Sequence, residues 1–186
     1  MPRPGSRDAR LTVDRLRPVP RPLGFDPIEE AHRQWVDHGW DDAADGMAAI
    51  TSVVRAEQLF RIRIDSLLAP FELTFARFEV LTLLSFTREG RLPLGKIGVR
   101  LQVHPASVTN AVDRLEAQGF VTREAHPTDR RATLAALTTE GRRVAKRAGK
   151  VLNAEAFSIV PLSDRELRQL FTILRKLRAA SGDFDG

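Results

Sequence analysis

The sequence predicts a mainly α-helical protein that carries one small β-hairpin. Apolar residues recur at helical spacing in long segments near both ends of the chain. Between these segments, Pro105 and Gly119 bracket a short helix, and two β-prone runs, residues 120–125 and 132–138, flank the turn-forming stretch HPTDRR. We therefore expect a central lobe of short elements with longer helices on either side of it.

The first 24 of the 186 residues form a segment rich in proline and arginine. They contain five prolines and six arginines, with too little apolar material to fold independently. We predict a flexible tail. The alternative is an arm that follows a phosphate backbone or drapes over a partner subunit.

Two helices are predicted after the tail. A short helix begins at the Asp26-Pro27 pair, which supplies a cap and a first-turn proline, and it carries Trp35. A longer helix covers about residues 42–68 and ends before Pro70. Its apolar stripe consists of Ile50, Val53, Val54, Phe60, Ile64 and Leu67.

A third helix begins at Thr74 and runs to about Arg88. Thr74 is a good N-cap residue, and the segment behind it has little polar face, so this helix should be central. Two more helices follow near the C-terminus, separated by Pro161 and Ser163. The first has a stripe of Val144, Ala148, Val151, Leu152 and Ile159, and the second has a stripe of Leu167, Leu170, Phe171, Leu174 and Leu177.

The amphipathic helices at the two ends of the chain predict a dimer. Nothing within one chain obviously covers both sets of apolar stripes. A symmetric helical interface between two copies would bury them.

The short helix that starts at Pro105 has one apolar and one polar side. Pro105 suits its first position, and Gly119 followed by Phe120 suits a left-handed C-terminal cap. The residues at i, i+3, i+4 and i+7, which should be buried, are Val108, Ala111, Val112 and Leu115. The opposite side and its flanks carry Ala106, Ser107, Thr109, Asn110, Asp113 and Arg114.

Immediately before it, the stretch PLGKIGVRLQV predicts another short helix, in which Gly95 and Gly98 permit a close helix crossing. Two short helices joined by the tight connection of residues 102–104 form a helix-turn-helix. In that motif the second helix points its outer face into the major groove of DNA. The alternative for the polar face is ordinary exposure to solvent.

The runs FVTREA and ATLAALT add two strands, with HPTDRR as a basic tip between them. A β-hairpin attached to a helix-turn-helix is a wing, and adjacent arginines at its tip suit a narrow minor groove. The predicted fold class is therefore mainly α with a small β-wing, in which a winged helix-turn-helix DNA-binding lobe joins a helical dimerisation region.

Charge is concentrated in this lobe. Residues 94–147 carry ten basic and five acidic side chains, an excess equal to the whole formal net charge of +5. Phosphate contacts from such residues would supply most of the affinity for DNA. The predicted domains are the tail at 1–24, N-terminal helices with the dimerisation and ligand-site region at 25–70, the DNA-binding domain at 71–141 and C-terminal dimerisation helices at 142–186.

These segments resemble the MarR family of bacterial transcriptional regulators. The resemblance rests on SVTNAVDRLEAQGFVTRE at 107–124, on the wing pattern HPTDRRATLAALTTEG at 126–141 with its Asp-x-Arg at Asp129 and Arg131, and on LTFARFEVLTLL at 73–84. It covers roughly residues 43–180.

The resemblance implies a sequence-specific homodimer in which each winged helix enters one half of an inverted-repeat operator. It also implies that the protein is a repressor, which a small ligand releases from the operator. The recognition-helix residues expected to contact DNA are His104, Ala106, Ser107, Thr109, Asn110 and Arg114. The wing residues expected to do so are Asp129, Arg130 and Arg131, with Asp129 orienting Arg131. His104 stands at an N-cap where Ser or Thr is physically better; it is either a phosphate contact or an exposed histidine.

The added first helix resembles the branch of the family that includes urate-responsive regulators. The resemblance places Trp35, Glu79 and Arg123 at matching ligand positions, whereas Ala111 replaces an arginine expected in the recognition helix, which argues against urate. An aromatic surface near several arginines suits an anionic ligand, aromatic or polycarboxylate. The candidate ligand residues are Trp35, Arg55, Arg77, Glu79 and Arg123.

Each of these residues has a structural alternative. Trp35 could pack in the core, Glu79 could form an ion pair with Arg55 or Arg77, and Arg123 could make a phosphate or structural contact. The sequence leaves both sets of roles open.

Other function classes are disfavoured. The chain has no cysteine, and its four histidines show neither metal-ligand spacing nor a partnered nucleophile, so we expect neither an enzyme, a metal site nor a cofactor. No apolar run reaches the roughly 18 residues that a membrane span needs, so we expect a cytoplasmic protein without a membrane partner. The competing function is an architectural or protein-binding winged helix without sequence-specific readout.

Overall fold

The computed structural model of the protein describes residues 23–129 and 131–185. The predictions for the tail up to residue 22 and for Arg130 lie outside the described residues. The described residues form two compact units, one up to Ser66 and the other from Leu67 onwards.

The first unit contains helix α1, Pro27–Asp37, and most of helix α2, Asp41–Leu68. Asp26 begins α1 as predicted, because its Oδ1 accepts the backbone N–H of Ile28 at 2.8 Å. Between the helices, Gly39 adopts a φ of 76°, a left-handed conformation that favours glycine. Both predicted N-terminal helices are therefore present.

Much of the apolar stripe predicted on α2 is exposed in the single chain. Ile64 is buried and Leu67 is half-buried, in line with a core-facing position. The exposed members are Ile50, Val53, Val54 and Phe60.

The second unit begins with a 3₁₀ turn at Ala69–Phe71 and carries all the strands that the structure describes. Its helices are α3 (Phe75–Ser85), α4 (Leu94–Leu101), α5 (Pro105–Ala117), α6 (Thr139–Leu152) and α7 (Asp164–Ala180). Its strands are β1 (Arg91–Pro93), β2 (Val121–Ala125) and β3 (Thr133–Leu137).

Helix α3 is central in this unit, as predicted. It packs against α4, α5, α6 and β3, and its buried residues are Phe78, Val80, Leu81 and Leu84. The helix ends at Ser85, not near Arg88. The hydroxyl of Thr87 donates to the carbonyl of Leu84 at 2.7 Å, so it satisfies a group that a further helical turn would have used.

The strands form an antiparallel sheet in the order β1-β3-β2. The hairpin of β2 and β3 lies where the sequence predicts it, with Arg123 opposite Ala135. Strand β1 was not predicted, because three residues are too short to show an alternating pattern. The predicted class, mainly α with a small β-wing, is confirmed.

The C-terminal helices begin at good capping residues. Thr138 accepts the N–H of Gly141 at 2.9 Å at the start of α6, and Ser163 forms a capping box with Glu166 at the start of α7. After α6 the chain makes a π-helical turn at Asn153–Phe157, which leaves Ile159 outside the helix whose stripe it was predicted to join. On α7 the exposed apolar residues are Leu167, Leu170, Phe171, Ile173 and Leu177.

In residues 23–129 and 131–185, no helix combines the length and the apolar character that crossing a bilayer requires.

Candidate nucleic-acid interface

Helix α5 starts at a histidine cap. Nδ1 of His104 accepts the N–H of Ala106 at 3.2 Å, and Pro105 occupies the first helical position. His104 therefore takes over the capping role for which Ser or Thr is more usual, while its side chain remains at the exposed entrance of the helix.

The far end of α5 is closed by Gly119 and Phe120. Gly119 has a φ of 73°, its N–H donates to the carbonyl of Glu116, and the N–H of Phe120 donates to the carbonyl of Leu115, both at 2.9 Å. This is the predicted left-handed cap. The predicted buried stripe is also confirmed, since Val108, Ala111, Val112 and Leu115 are all buried.

Helix α4 crosses α5 closely at Gly98. A Cβ there would lie 3.3 Å from the carbonyl oxygen of Val103 and 3.5 Å from Cγ2 of Val108. Gly95 has no atom within 4 Å of such a Cβ, so the prediction that it also permits the crossing is wrong. The connection turns at Gln102, whose φ of 54° is left-handed. Helices α4 and α5 thus form the predicted helix-turn-helix.

The outer face of α5 is open to solvent. Five of the predicted contact residues on it are exposed: Ala106, Ser107, Thr109, Asn110 and Arg114. The hydroxyl of Thr109 donates to the carbonyl of Pro105 at 3.1 Å, so it is engaged within the helix. Asn110 and Arg114 present an amide and a guanidinium, groups that suit base edges and phosphates.

Arg123 on β2 ties the wing to α5. Its Nη2 lies 2.6 Å from Oδ1 of Asp113, its Nη1 lies 2.5 Å from Oε2 of Glu116, and its backbone N–H donates to Oε1 of Glu116 at 3.0 Å. Burial alone would lower the pKa of the guanidinium, but the hydrogen bonds to Glu116 and Asp113 outweigh it and raise that pKa. The arginine is therefore a charged brace between strand and helix.

The wing tip is shaped by His126 and Asp129. Nδ1 of His126 accepts the N–H of Asp129 at 3.1 Å, and Oδ1 of Asp129 accepts the backbone N–H of Arg131 at 3.0 Å. Asp129 thus holds the main chain of Arg131, rather than its guanidinium, in this turn. The side chain of Arg131 is exposed.

The candidate ligand residues fall in both units of the chain. In the first unit, Trp35 is half-buried and packs edge-to-face on Trp40 with ring centroids 5.3 Å apart. Trp40 was not among the predicted residues of this region, although its position five residues after Trp35 was a usable signal. Arg55 donates to Oε1 of Gln58 at 3.2 Å.

In the second unit, Arg77 and Glu79 lie on α3. Arg77 donates to Oγ1 of Thr74 at 3.3 Å and to Oε1 of Gln118 at 3.2 Å, and Gln118 in turn donates to the carbonyl of Glu72 at 2.9 Å. Glu79 is half-buried. Arg77 therefore links α3 to the end of α5, a contact that the sequence did not indicate.

The fold and this face define a winged helix-turn-helix protein. Residues 73–133 match the model of the MarR family. The chain is 46% identical to Sco5413, a MarR family transcriptional regulator from Streptomyces coelicolor, over 76% of this chain and 99% of that one, with a TM-score of 0.69. The chain belongs to the MarR family.

Further proteins share part of this sequence or its fold. The regulator YkoM of Bacillus subtilis is 39% identical over 102 residues, which are 53% of this chain and 64% of that protein. The chain spans 54% and 43% of two further Bacillus subtilis regulators. Sco3205 of Streptomyces coelicolor, solved in complex with DNA, shares the fold at 24% identity and a TM-score of 0.66, over 74% of this chain and 88% of that one.

Proposed function

We propose that this protein is a homodimeric, sequence-specific DNA-binding repressor that leaves an inverted-repeat operator when a small anionic ligand binds. The observation that carries the proposal is the outer face of α5. It places Asn110, Thr109 and Arg114 in solvent at the end of a helix-turn-helix whose inner face is fully packed. Such a face has the size and chemistry to enter a major groove.

Exposed basic residues on α4, on α5 and in the wing support phosphate binding. Lys96 and Arg100 on α4, Arg114 on α5 and Arg131 in the wing are all exposed. Contacts of this kind position a protein on a duplex and make its affinity dependent on salt. Sco3205, which has the same fold, is itself solved on DNA.

Exposed apolar residues support the dimer. Ile50, Val53 and Val54 on α2 and Phe171 on α7 are each at least 44% exposed. Surfaces of this kind are uncommon on monomers and mark interfaces. A two-fold symmetric dimer presents two α5 helices, and so it reads a DNA site with matching two-fold symmetry.

Selection from random duplex DNA tests this proposal directly. The full chain is expected to enrich an inverted repeat whose half-sites are about 10 base pairs apart, or a multiple of that distance, because two recognition helices must meet the same side of the duplex. A reporter placed behind the recovered site should fall in expression when the protein is present. Enrichment of no preferred sequence would contradict the proposal and favour an architectural protein.

Trp35, Arg55, Arg77, Glu79 and Arg123 are proposed to take part in ligand binding. Arg123 is held by Asp113 and Glu116 of α5, so an anion bound to its guanidinium would compete with these carboxylates and loosen α5 from the wing. That competition supplies a route from ligand binding to release of DNA.

The two tryptophans of the chain provide the assay. Aromatic carboxylates and polycarboxylates should be screened for release of the selected duplex and for a change in tryptophan fluorescence. Trp35→Phe is expected to weaken the response to an active compound, and Trp40→Phe, which alters the ring that Trp35 packs against, separates loss of that packing from loss of a ligand contact. An unaltered response in Trp35→Phe would remove Trp35 from the site.

A further inference from the structure

Thr109 occupies a distinctive position on α5. It is exposed on the outer face, but its hydroxyl is already engaged by the carbonyl of Pro105 at 3.1 Å. A hydrogen bond from this hydroxyl to a base edge would have to replace that bond. Without such a loss, Thr109 can offer its Cγ2 methyl, and its Oγ1 only as a hydrogen-bond acceptor.

The surface next to Thr109 is apolar. A hollow of about 370 Å³ lies between α4 and the start of α5, and Thr109 forms part of its wall together with Val99, Val103 and Pro105. Val99 is 78% exposed and Val103 is 38% exposed, so apolar side chains stand in solvent beside the face proposed to meet DNA. Polar contacts with DNA would not explain why apolar side chains are exposed at this position.

We infer that Thr109 and the adjoining apolar wall read thymine through its 5-methyl group. Among the four bases, thymine alone carries a methyl group in the major groove, and apolar contact is the way proteins recognise it. Lys96 and Arg100 do not line the hollow, but they are exposed on the same helix as Val99, and such charges favour a polyanionic partner such as a nucleic acid. The inference rests on the proposed DNA-binding function and names one base that it recognises.

The test changes one methyl group on each side of the contact. In the duplex recovered by selection, each thymine is replaced in turn by deoxyuridine, which lacks the methyl but keeps every hydrogen-bonding group. Affinities are measured by fluorescence anisotropy for the wild-type protein, for Thr109→Ser, which keeps the hydroxyl, and for Thr109→Val, which keeps a methyl. Circular dichroism confirms that both variants are helical.

At one thymine in each half-site, deoxyuridine should weaken binding of the wild-type protein about three- to fivefold, the effect expected for one buried methyl group. Thr109→Ser should bind the thymine duplex about as weakly as the wild-type protein binds the deoxyuridine duplex. Replacing that thymine by deoxyuridine should cost the Thr109→Ser variant no further affinity. Thr109→Val should remain sensitive to the methyl group.

The assignment is overturned if the wild-type protein is insensitive to deoxyuridine at every position. It is also overturned if Thr109→Ser keeps the wild-type sensitivity, since the methyl group would then meet another residue. Failure of the proposed function looks different, because the selection would then yield no preferred duplex at all. That result would contradict both the proposed function and the recognition of thymine by Thr109.

Discussion

At the scale of single residues, Gly141 fixes the approach of α6 to the end of α5. A Cβ at this position would lie 1.9 Å from the carbonyl oxygen of Phe120. The same carbonyl accepts the N–H of Thr138 at 3.0 Å, so the backbone cannot move aside without losing a hydrogen bond. The recognition helix and the helix that follows the wing are thus joined by a contact that only glycine allows.

Gly141→Ala should therefore destabilise the protein. Forcing an atom into this contact should cost about 1–3 kcal/mol or more of the free energy of unfolding. Gly149→Ala, in the same helix, is the matched control, because its nearest neighbours are ring carbons of Phe78 at 3.9 Å, an ordinary contact. Alanine there should be neutral or stabilise by up to about 1 kcal/mol. Urea unfolding measures both; equal midpoints for the two variants would contradict the close contact.

At the scale of secondary-structure elements, local patterns predicted most of what forms. The buried stripe and both caps of α5 follow from residues within one helix, and the sequence places them correctly. Strand β1 was missed because its partner strand is distant in sequence, and the structural role of Arg123 stayed one alternative among several because periodicity does not identify the carboxylates that it contacts. Arg91 pairs with Ala136, and Arg123 contacts Asp113. The spacing of residues along the chain does not indicate such contacts.

The brace between β2 and α5 predicts that Arg123→Gln lowers both stability and affinity for DNA. Loss of two hydrogen bonds to carboxylates should lower the free energy of unfolding by about 1–3 kcal/mol. Arg143→Gln is the control, since its ion pair with Glu140 lies on the surface of a single helix, where solvent screening leaves such a pair little effect on stability. Equal effects of the two substitutions on urea unfolding would show that Arg123 is not a brace.

The wing makes a separate prediction at this scale. Arg131→Ala should weaken binding to the selected duplex and to a scrambled one by similar factors, because we propose that the arginine contacts the phosphate backbone or a narrow groove and not a base edge. The slope of log K against log salt concentration should fall by about one. An unchanged slope in anisotropy titrations would place the wing tip away from DNA.

At the scale of the whole molecule, the exposed apolar faces of α2 and α7 are the basis for the proposed dimer. The periodicity of apolar residues predicts these stripes, but it does not identify the residues that would cover them. Burial of such faces between two copies stabilises an assembly in proportion to the apolar area removed from water. Dimerisation is thus proposed from what the single chain leaves exposed.

Phe171→Glu should convert the dimer to a monomer. Phe171 is 65% exposed on α7, and a carboxylate at a buried interface position would lose its hydration without gaining a partner. Phe86→Glu is the control, because Phe86 is 81% exposed at the end of α3 and belongs to neither stripe. Analytical sedimentation at micromolar concentration should show a dimer for the wild-type protein and for the control, and a monomer for Phe171→Glu. A monomeric wild-type protein would contradict the two-half-site account.

The proposed function depends on the outer face of α5 distinguishing one DNA sequence from another. The most direct test is a fluorescence-anisotropy titration of the wild-type protein, Asn110→Ala and the control Asn153→Ala against the selected duplex and a scrambled duplex of equal length. We predict a preference of at least about a thousandfold for the selected duplex in the wild-type protein and the control. Asn110→Ala should lose about 1–3 kcal/mol on the selected duplex alone. Equal binding of the wild-type protein to both duplexes would contradict the account.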